Sequence, residues 1–210
     1  MTKVALYYYA GIALMLFTTA TVEAQEVRVY AGLGAGAYSV KYSEEGPSGA
    51  LSVKKSALPS GIIKVGFDYS YWGAELRAGA MPGASAQFPV GTKGSARPFG
   101  VSVQASPFVS YLAKMQYPVS KSFNIYALLG GTAATYSVNP TGTGVTFNSK
   151  VTKTGFTYGF GAAYRPRPLF AVEMEWIQYW SDVTLALSTA GRSKASFGGF
   201  GLSFSRSFDY

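Results

Sequence analysis

Apolar and polar residues alternate along most of the chain in segments of roughly 9 to 15 residues, a period that places successive side chains on opposite faces of a β-strand. In "AVEMEWIQYW" (171–180), Val172, Met174 and Trp176 share one face, whereas Glu173 and Glu175 share the other. In a helix these residues would scatter around the axis, so the alternation predicts a strand. The predicted strands cover residues 26–42, 61–71, 72–81, 101–117, 123–136, 154–165, 171–180 and 195–210.

The links between these segments alternate strictly between short and long. The short links are built from turn-forming residues, and the long ones are polar and rich in Gly, Ser, Thr and Pro. This asymmetry predicts an all-β fold, an eight-stranded antiparallel up-and-down transmembrane β-barrel with both termini on the side of the short turns. The short links are 71–73, 118–122 and 165–168, and the long links are 43–60, 82–100, 137–153 and 181–194.

The predicted strands carry their charged residues on one face, and the opposite face is apolar with aromatic residues at its ends. The charged set is Arg28, Lys64, Asp68, Glu75, Arg77, Lys114, Glu173 and Glu175. A soluble barrel would turn its apolar face inward, but aromatic residues at both ends of the apolar face are typical of membrane interfaces. Eight strands enclose an interior only wide enough for side chains. We therefore expect the apolar face to contact lipid and the charges to form an ion-pair network that plugs the lumen.

The first residues of the chain predict export. Lys3 precedes an apolar run at 4–17, and Val22 and Ala24 occupy the small-residue positions before a signal-peptidase cut. We expect residues 1–24 to be a signal peptide and residues 25–210 to form the barrel in the bacterial outer membrane. Elsewhere the sequence has no apolar run of about 20 residues, the length that a spanning helix needs.

The composition narrows the possible chemistry. The chain of 210 residues contains neither histidine nor cysteine, which excludes Ser-His-Asp and Cys-His nucleophiles and His-ligated zinc. Acid–base work by Glu173 with Glu175 or Glu75 is the remaining enzymatic alternative, but basic residues on the same face favour ion pairs. "GLGAG" (32–36) and "GFG" (159–161) lie inside predicted strands with no following Lys, so they are not phosphate loops. We expect no enzyme activity and no metal or cofactor.

The formal net charge of +8 indicates an anionic partner. For an exported protein we expect anionic lipid or glycan rather than nucleic acid. Basic residues in the long links are candidates for binding lipopolysaccharide phosphates or a host glycan, although ordinary solvated charge explains them equally well. They are Lys54, Lys55, Lys93, Arg97, Lys150, Lys153, Arg192 and Lys194, partly offset by Glu44, Glu45 and Asp182.

Several segments together resemble a known family. They are "WGAELRAGA" (72–80), "YPVSKSFNIYALLGG" (117–131), "FTYGFGAAYRP" (156–166), "FAVEMEWIQY" (170–179) and "GFGLSFSRSFDY" (199–210). With the leader, they resemble the small outer-membrane β-barrel family of OmpA-barrel, OmpX and opacity-type proteins. The resemblance covers the whole mature chain at the level of the fold. It implies a non-enzymatic role in envelope integrity or in surface interaction such as adhesion.

The resemblance also concerns assembly. The last strand looks like the signal that the barrel-assembly machinery reads, with Leu202, Phe204, Phe208 and Tyr210 at alternating positions. Two features depart from that signal: the terminal residue is Tyr rather than Phe, and Arg206 interrupts the apolar face. Barrel enzymes of similar architecture use a catalytic histidine, which this chain lacks.

Two alternatives from other classes stay open. A narrow porin-like channel for ions or small solutes would require the lumenal ion pairs to open. A soluble lipocalin-like binder would partition into the aqueous periplasm rather than into detergent.

Overall fold

The computed structural model describes residues 27–47, 49–80, 82–141, 149–188 and 191–208, so the predicted signal peptide and Tyr210 lie outside the described residues. Within those ranges, no helix combines the length and the apolar character needed to cross a membrane. The described strands are β1 (Arg28–Gly46), β2 (Gly49–Tyr69), β3 (Trp72–Ala80), β4 (Ala84–Phe88), β5 (Phe99–Ser120), β6 (Phe123–Thr141), β7 (Ser149–Arg167), β8 (Phe170–Ser188) and β9 (Gly191–Phe208).

Eight of these strands close into an antiparallel ring, which confirms the predicted up-and-down barrel. Without β4, each strand of the ring pairs with the next one along the chain, so that β3 pairs with β5, and β1 closes the ring against β9. β4 follows β3 after a break at Pro82 and Gly83, residues that interrupt a ladder, and it pairs with β5 alone. The β2–β3 turn is at Ser70 and Tyr71, slightly earlier than predicted, so Trp72 and Gly73 belong to β3.

An apolar belt surrounds the part of the barrel next to the short turns. It consists of the outward side chains of residues 27–37, 61–80, 107–133, 156–178 and 198–208. Leu33, Met174 and Phe204 are 66%, 64% and 61% exposed there, whereas Glu173 on the inward face is 2% exposed. Each strand crosses the belt with roughly 9 to 11 residues, the number that a tilted strand needs to span a bilayer. The belt is therefore the surface that contacts lipid.

Beyond the belt, the long links are mostly strands rather than the predicted loops. β1 continues through Gly46 and β2 begins at Gly49, so 43–60 is almost entirely a hairpin. The alternation continues with its polarity exchanged: Tyr38, Val40 and Tyr42 are buried inside the barrel, and Ser39 and Lys41 face outward. The physical reason is that the outer face here meets water, so apolar side chains are buried inside. Outside regular strands, the main described loop is 89–98, which contains a short 3₁₀-helix, Thr92–Gly94.

The strands beyond the belt form a head made of two sheets. The first sheet contains the outer parts of β2, β1, β9 and β8, and the second contains β4 and the outer parts of β5, β6 and β7. In the described structure, the β2–β3 ladder ends at Gly61 and the β7–β8 ladder ends at Gln178, and no ladder joins the two sheets above these points. The barrel therefore changes into a two-sheet sandwich above the membrane.

Aromatic side chains fill the space between the two sheets. Tyr42 of the first sheet stacks on Tyr136 of the second, with ring centroids 6.1 Å apart, and Tyr136 stacks on Trp180 at 6.2 Å. Trp180 packs in turn on Phe197, at 5.4 Å, and its indole N–H donates to the carbonyl oxygen of Thr132 at 2.8 Å. The head thus has its own hydrophobic core, continuous with the barrel below it.

One loop covers the seam between the two sheets. The segment 89–98 contacts β2, and Lys93 within it forms an ion pair with Glu44 of β1. The Tyr42 hydroxyl donates to the other oxygen of Glu44 at 3.0 Å. Burial, followed by the charge of Glu44, raises the pKa of Tyr42, so this phenol stays a neutral donor. The loop is therefore attached to the first sheet as well as to the second.

Candidate functional site: the lumenal ion-pair network

The charged residues inside the belt come from inward positions two residues apart. β3 supplies Glu75 and Arg77, and β8 supplies Glu173 and Glu175. Because side chains of a strand alternate, each such pair points to the same side, here the lumen. β2 and β5 supply the other charges from the same face. The narrow bore brings these strands within reach of one another although they are far apart in the sequence.

Arg77 lies at the centre of the network. Its Nε donates to Oε1 of Glu75, Nη1 donates to Oε1 of Glu175, and Nη2 donates to Oε2 of Glu175 at 2.8 Å. The contact with Glu175 is bidentate, the strongest form of an Arg–carboxylate pair. Lys64 Nζ lies 3.0 Å from Glu173 Oε2 and 3.7 Å from Glu75 Oε2. All five side chains are at most 3% exposed.

A second group of charges lies nearer the short turns. Asp68 forms two ion pairs. One carboxylate oxygen lies 3.2 Å from Lys114 Nζ, and the other lies 2.9 Å from Arg165 Nη2. The Lys114 ammonium also lies over the rings of Tyr30 and Tyr126, 5.0 Å and 4.9 Å from their centroids. These cation–π contacts join the second group to the first.

Hydroxyl groups complete the coordination of the carboxylates. Tyr30 donates to Glu75 Oε2 at 2.8 Å, and Tyr126 donates to Glu175 Oε2 at 3.0 Å. Ser205 of β9 donates to Glu173 at 2.9 Å. The four carboxylates are matched by four cations, two Lys and two Arg. The network is therefore electrically balanced, which a buried group of charges needs in order to be tolerated.

Seven of the eight predicted network residues meet in these contacts, and Arg28 does not. Arg28 is half-buried opposite Asp68 in the β1–β2 ladder, and among the described residues it forms no ion pair. Arg165 takes a place beside Asp68 that the sequence analysis missed. The signal was present, because Arg165 is the next inward position after Ala163 on the same strand, at the boundary between the predicted strand 154–165 and the predicted short link 165–168.

A chain of hydroxyls separates this network from the aromatic head. Ser110 Oγ lies 2.7 Å from Thr132 Oγ1, which lies 2.6 Å from Thr157 Oγ1. Thr157 donates to the carbonyl oxygen of Tyr179 at 3.0 Å. Within the described residues, no group of acidic side chains is arranged to hold a metal ion. The lumen is thus filled in three layers: ions, hydroxyls and aromatic rings.

The comparison with protein families identifies the barrel. The model of the family "Outer membrane protein beta-barrel domain" matches residues 10–208. The chain belongs to this family. Family membership places the protein in the bacterial outer membrane, as predicted, with the apolar belt in lipid.

Solved structures share the fold of this outer-membrane barrel. The outer membrane protein OprG from Pseudomonas aeruginosa is 13% identical over 88% of this chain and 98% of its own, with a TM-score of 0.55. Neisserial surface protein A is 12% identical over 86% of this chain and 97% of its own, with a TM-score of 0.52. A comparison with curated protein sequences finds no match.

The eight basic residues predicted on loops of the outer-membrane barrel lie mostly on strands of the head. Lys54 and Lys55 belong to β2, Lys150 and Lys153 to β7, and Arg192 and Lys194 to β9, whereas Lys93 and Arg97 belong to the loop 89–98. The loop placement was therefore wrong for six of them, because the hairpins extend as strands into water. The head also carries a basic residue outside the predicted set, Lys41 on β1.

Proposed function

We propose that this outer-membrane barrel is a non-enzymatic, non-conducting protein that displays a rigid head at the cell surface for interaction with other molecules. The observation that carries the proposal is the filling of the lumen. Arg77 and its carboxylate partners occupy the bore within the belt, and the aromatic rings occupy it within the head. A side-chain network of this kind rigidifies the barrel, and a bore filled with side chains supports a non-conducting role.

The chemistry of the lumen also supports a non-enzymatic role. The chain has no histidine and no cysteine. The candidate acid–base carboxylates were Glu173 with Glu175 or Glu75. Glu75 and Glu175 are both held by Arg77 and by a tyrosine hydroxyl, and Glu173 is held by Lys64 at 3.0 Å and by the Ser205 hydroxyl at 2.9 Å. A carboxylate that accepts these bonds is stabilised as a structural anion and is not presented to a substrate.

The head favours anionic partners at the surface. It carries nine basic residues and three acidic ones, and most of the charged side chains face water. Lipopolysaccharide phosphates and anionic glycans of a host or a neighbouring cell fit this charge, and such contacts would support envelope integrity or adhesion. The nine are Lys41, Lys54, Lys55, Lys93, Arg97, Lys150, Lys153, Arg192 and Lys194, and the three are Glu44, Glu45 and Asp182.

Assembly by the barrel-assembly machinery is part of the same proposal. Leu202, Phe204 and Phe208 on β9 are exposed toward lipid at alternating positions, and Arg206 between them lies 5.9 Å from the ring centroids of both Phe170 and Phe208. This cation–π placement lets the guanidinium reach the interface without breaking the apolar face.

Conductance across a planar bilayer tests the proposal against a narrow pore. We expect the refolded protein to insert without steady openings, and we expect the same of Lys121→Ser, a control in the β5–β6 turn. Steady openings of the wild-type protein that change in amplitude or ion selectivity in Glu75→Gln or Arg77→Ser would show that ions pass the network, and would overturn the proposal in favour of the pore.

A further inference from the structure

The central strands of the two sheets of the head differ in the charge of their outward faces, whereas the edge strands β2 and β7 both carry outward lysines. On the first sheet, Lys41, Lys54, Arg192 and Lys194 face outward beside Glu45. The outward positions on the central strands of the second sheet, β5 and β6, carry no charge. Those positions are Ser102, Gln104, Thr135, Ser137 and Asn139. Solubility alone does not explain this difference, because both faces meet water.

Protection of sheet edges explains only part of the basic set. Lysines on an exposed edge strand prevent pairing with other chains, and Lys54 and Lys55 on β2 and Lys150 on β7 lie on the edges of the two sheets. Lys41 and Lys194 lie on β1 and β9, the central strands of the first sheet, where both edges are already paired. These two lysines need a different explanation.

The register places like charges directly against each other. Lys41 is the ladder partner of Lys54, and Lys194, the partner of Ser43, lies diagonally across from Lys41. Among the described residues these three lysines form no ion pair. Like charges at opposite positions of a sheet destabilise it, and an anion between them would remove the repulsion. The nearest ladder partners are serines, Ser43 and Ser196, which leave room between the ammonium groups.

Two acidic residues border this face without neutralising it. Glu45 is the ladder partner of Arg192, and Asp182 accepts a hydrogen bond from Ser196 at 3.3 Å. Neither carboxylate lies within ion-pair distance of Lys41, Lys54 or Lys194 in the described structure. The three lysines remain available to an external anion.

The height and direction of the face identify the source of that anion. The belt ends on β1 at Ala37, and Lys41 lies four residues further along. For a tilted strand this is about 10 Å above the hydrocarbon, in or just above the headgroup layer. The face points sideways along the membrane, and lysine side chains can extend back toward it. A lipid headgroup beside the barrel reaches this face more directly than a molecule approaching the tip of the head.

We propose that Lys41, Lys54 and Lys194 bind the phosphate groups of a phosphorylated glycolipid in the outer leaflet. The inference rests on the proposed surface role and gives it a partner and a position. The site lies on the flank of the head, so one bound glycolipid would cover the first sheet and leave the second sheet and the tips of the hairpins accessible.

Binding of diphosphorylated lipid A to the refolded protein in phosphatidylcholine nanodiscs tests this site. The test variant is Lys41→Ser/Lys54→Ser/Lys194→Ser. The matched control, Lys121→Ser/Lys150→Ser/Lys153→Ser, removes the same charge from the β5–β6 turn and from β7. Heat-dependent mobility on a denaturing gel verifies that both variants fold. We expect the test variant to bind at least about tenfold more weakly than wild type, and the control to stay within about twofold.

Three outcomes would overturn the site. Equal losses in the two variants would show that net charge alone attracts the lipid. Equal binding of dephosphorylated lipid A by the wild-type protein would show that the phosphates are not recognised. Heparin binding that depends on the three lysines, without any lipid A binding, would assign the face to a soluble polyanion instead. A conducting wild-type protein would contradict the proposed function, but the lipid A binding result would still test the site on this face.

Discussion

Gly66 and Gly161 allow two tyrosine side chains to pass over the neighbouring strand: Tyr30 of β1 reaches Glu75 of β3 across β2, and Tyr126 of β6 reaches Glu175 of β8 across β7. A Cβ on Gly66 would lie 2.7 Å from the Tyr30 ring and 2.6 Å from the carbonyl oxygen of Ala74, and a Cβ on Gly161 would lie 2.6 Å from Tyr126. Both positions therefore need a residue without a side chain. The glycines on the inward face leave room for the network as well as for the tight curvature of a small barrel.

Replacement of Gly66 tests this role at the scale of one residue. We expect Gly66→Ala to lower the free energy of unfolding by about 1 to 3 kcal/mol, because the added methyl group pushes both the Tyr30 ring and the β3 backbone away from β2. Gly61→Ala on the same strand is the control, since its nearest neighbouring atom is 3.9 Å away. Urea-induced unfolding in lipid vesicles measures both. Equal stability of the two variants would contradict the close packing of Tyr30 against β2.

The elements of the head contain unpaired edges that the belt does not have. The ladder of β2 with β3 ends at Gly61, and the outer part of β2 carries an irregularity around Ala57, which has a φ of 57°, and Pro59. Lysines, prolines and bulges on an edge all oppose pairing with another chain. Lys54 and Lys55 therefore have a structural role on this edge. For Lys54 this role adds to its proposed part in binding glycolipid phosphates.

Because this edge is exposed, removal of its two lysine charges is expected to increase aggregation. We expect Lys54→Val/Lys55→Val to raise the aggregated fraction after refolding by about twofold or more, because a β-branched, uncharged edge accepts other strands. Thr135→Val/Ser137→Val places the same residues on β6, which is paired on both sides. Light scattering during refolding compares the two. If the β6 variant aggregates as much as the β2 variant, added hydrophobicity and not the edge is responsible.

At the scale of the whole molecule, the same alternation of side chains runs through two environments, lipid around the belt and water around the head. The even-numbered side chains of β1 point inward along its entire length, from Tyr30 to Tyr42. Within the belt, lipid lies outside and the ionic network lies inside. In the head, water lies outside and apolar residues such as Val40 lie inside. The polarity exchanges near Tyr38, where the register of β1 with β2 also shifts.

This exchange explains what the sequence could and could not predict. The alternation in 171–180 predicted the inward direction of Glu173 and Glu175, because the period of a strand depends only on neighbouring residues. The predicted strand 26–42 ended too early, and 43–60 was interpreted as a loop because it is polar and rich in Gly, Ser and Pro, while apolar residues such as Leu51 and Val53 face the inside. The pairing of Arg77 with Glu175, 98 residues apart, depends on which strands face each other across the closed ring. A local pattern carries no information about that choice.

Labelling of single cysteines in lipid vesicles tests the inversion most directly, because the natural chain contains no cysteine. Three positions represent the three environments: Met174→Cys in the belt, Lys41→Cys on the outside of the head, and Val53→Cys, 1% exposed, inside it. We predict that a membrane-impermeant maleimide modifies only Lys41→Cys in the folded protein, and that a lipid-borne quencher reaches a fluorophore attached before refolding only at Met174→Cys. Rapid modification of Val53→Cys, or aqueous access to Met174→Cys without quenching by lipid, would contradict the account.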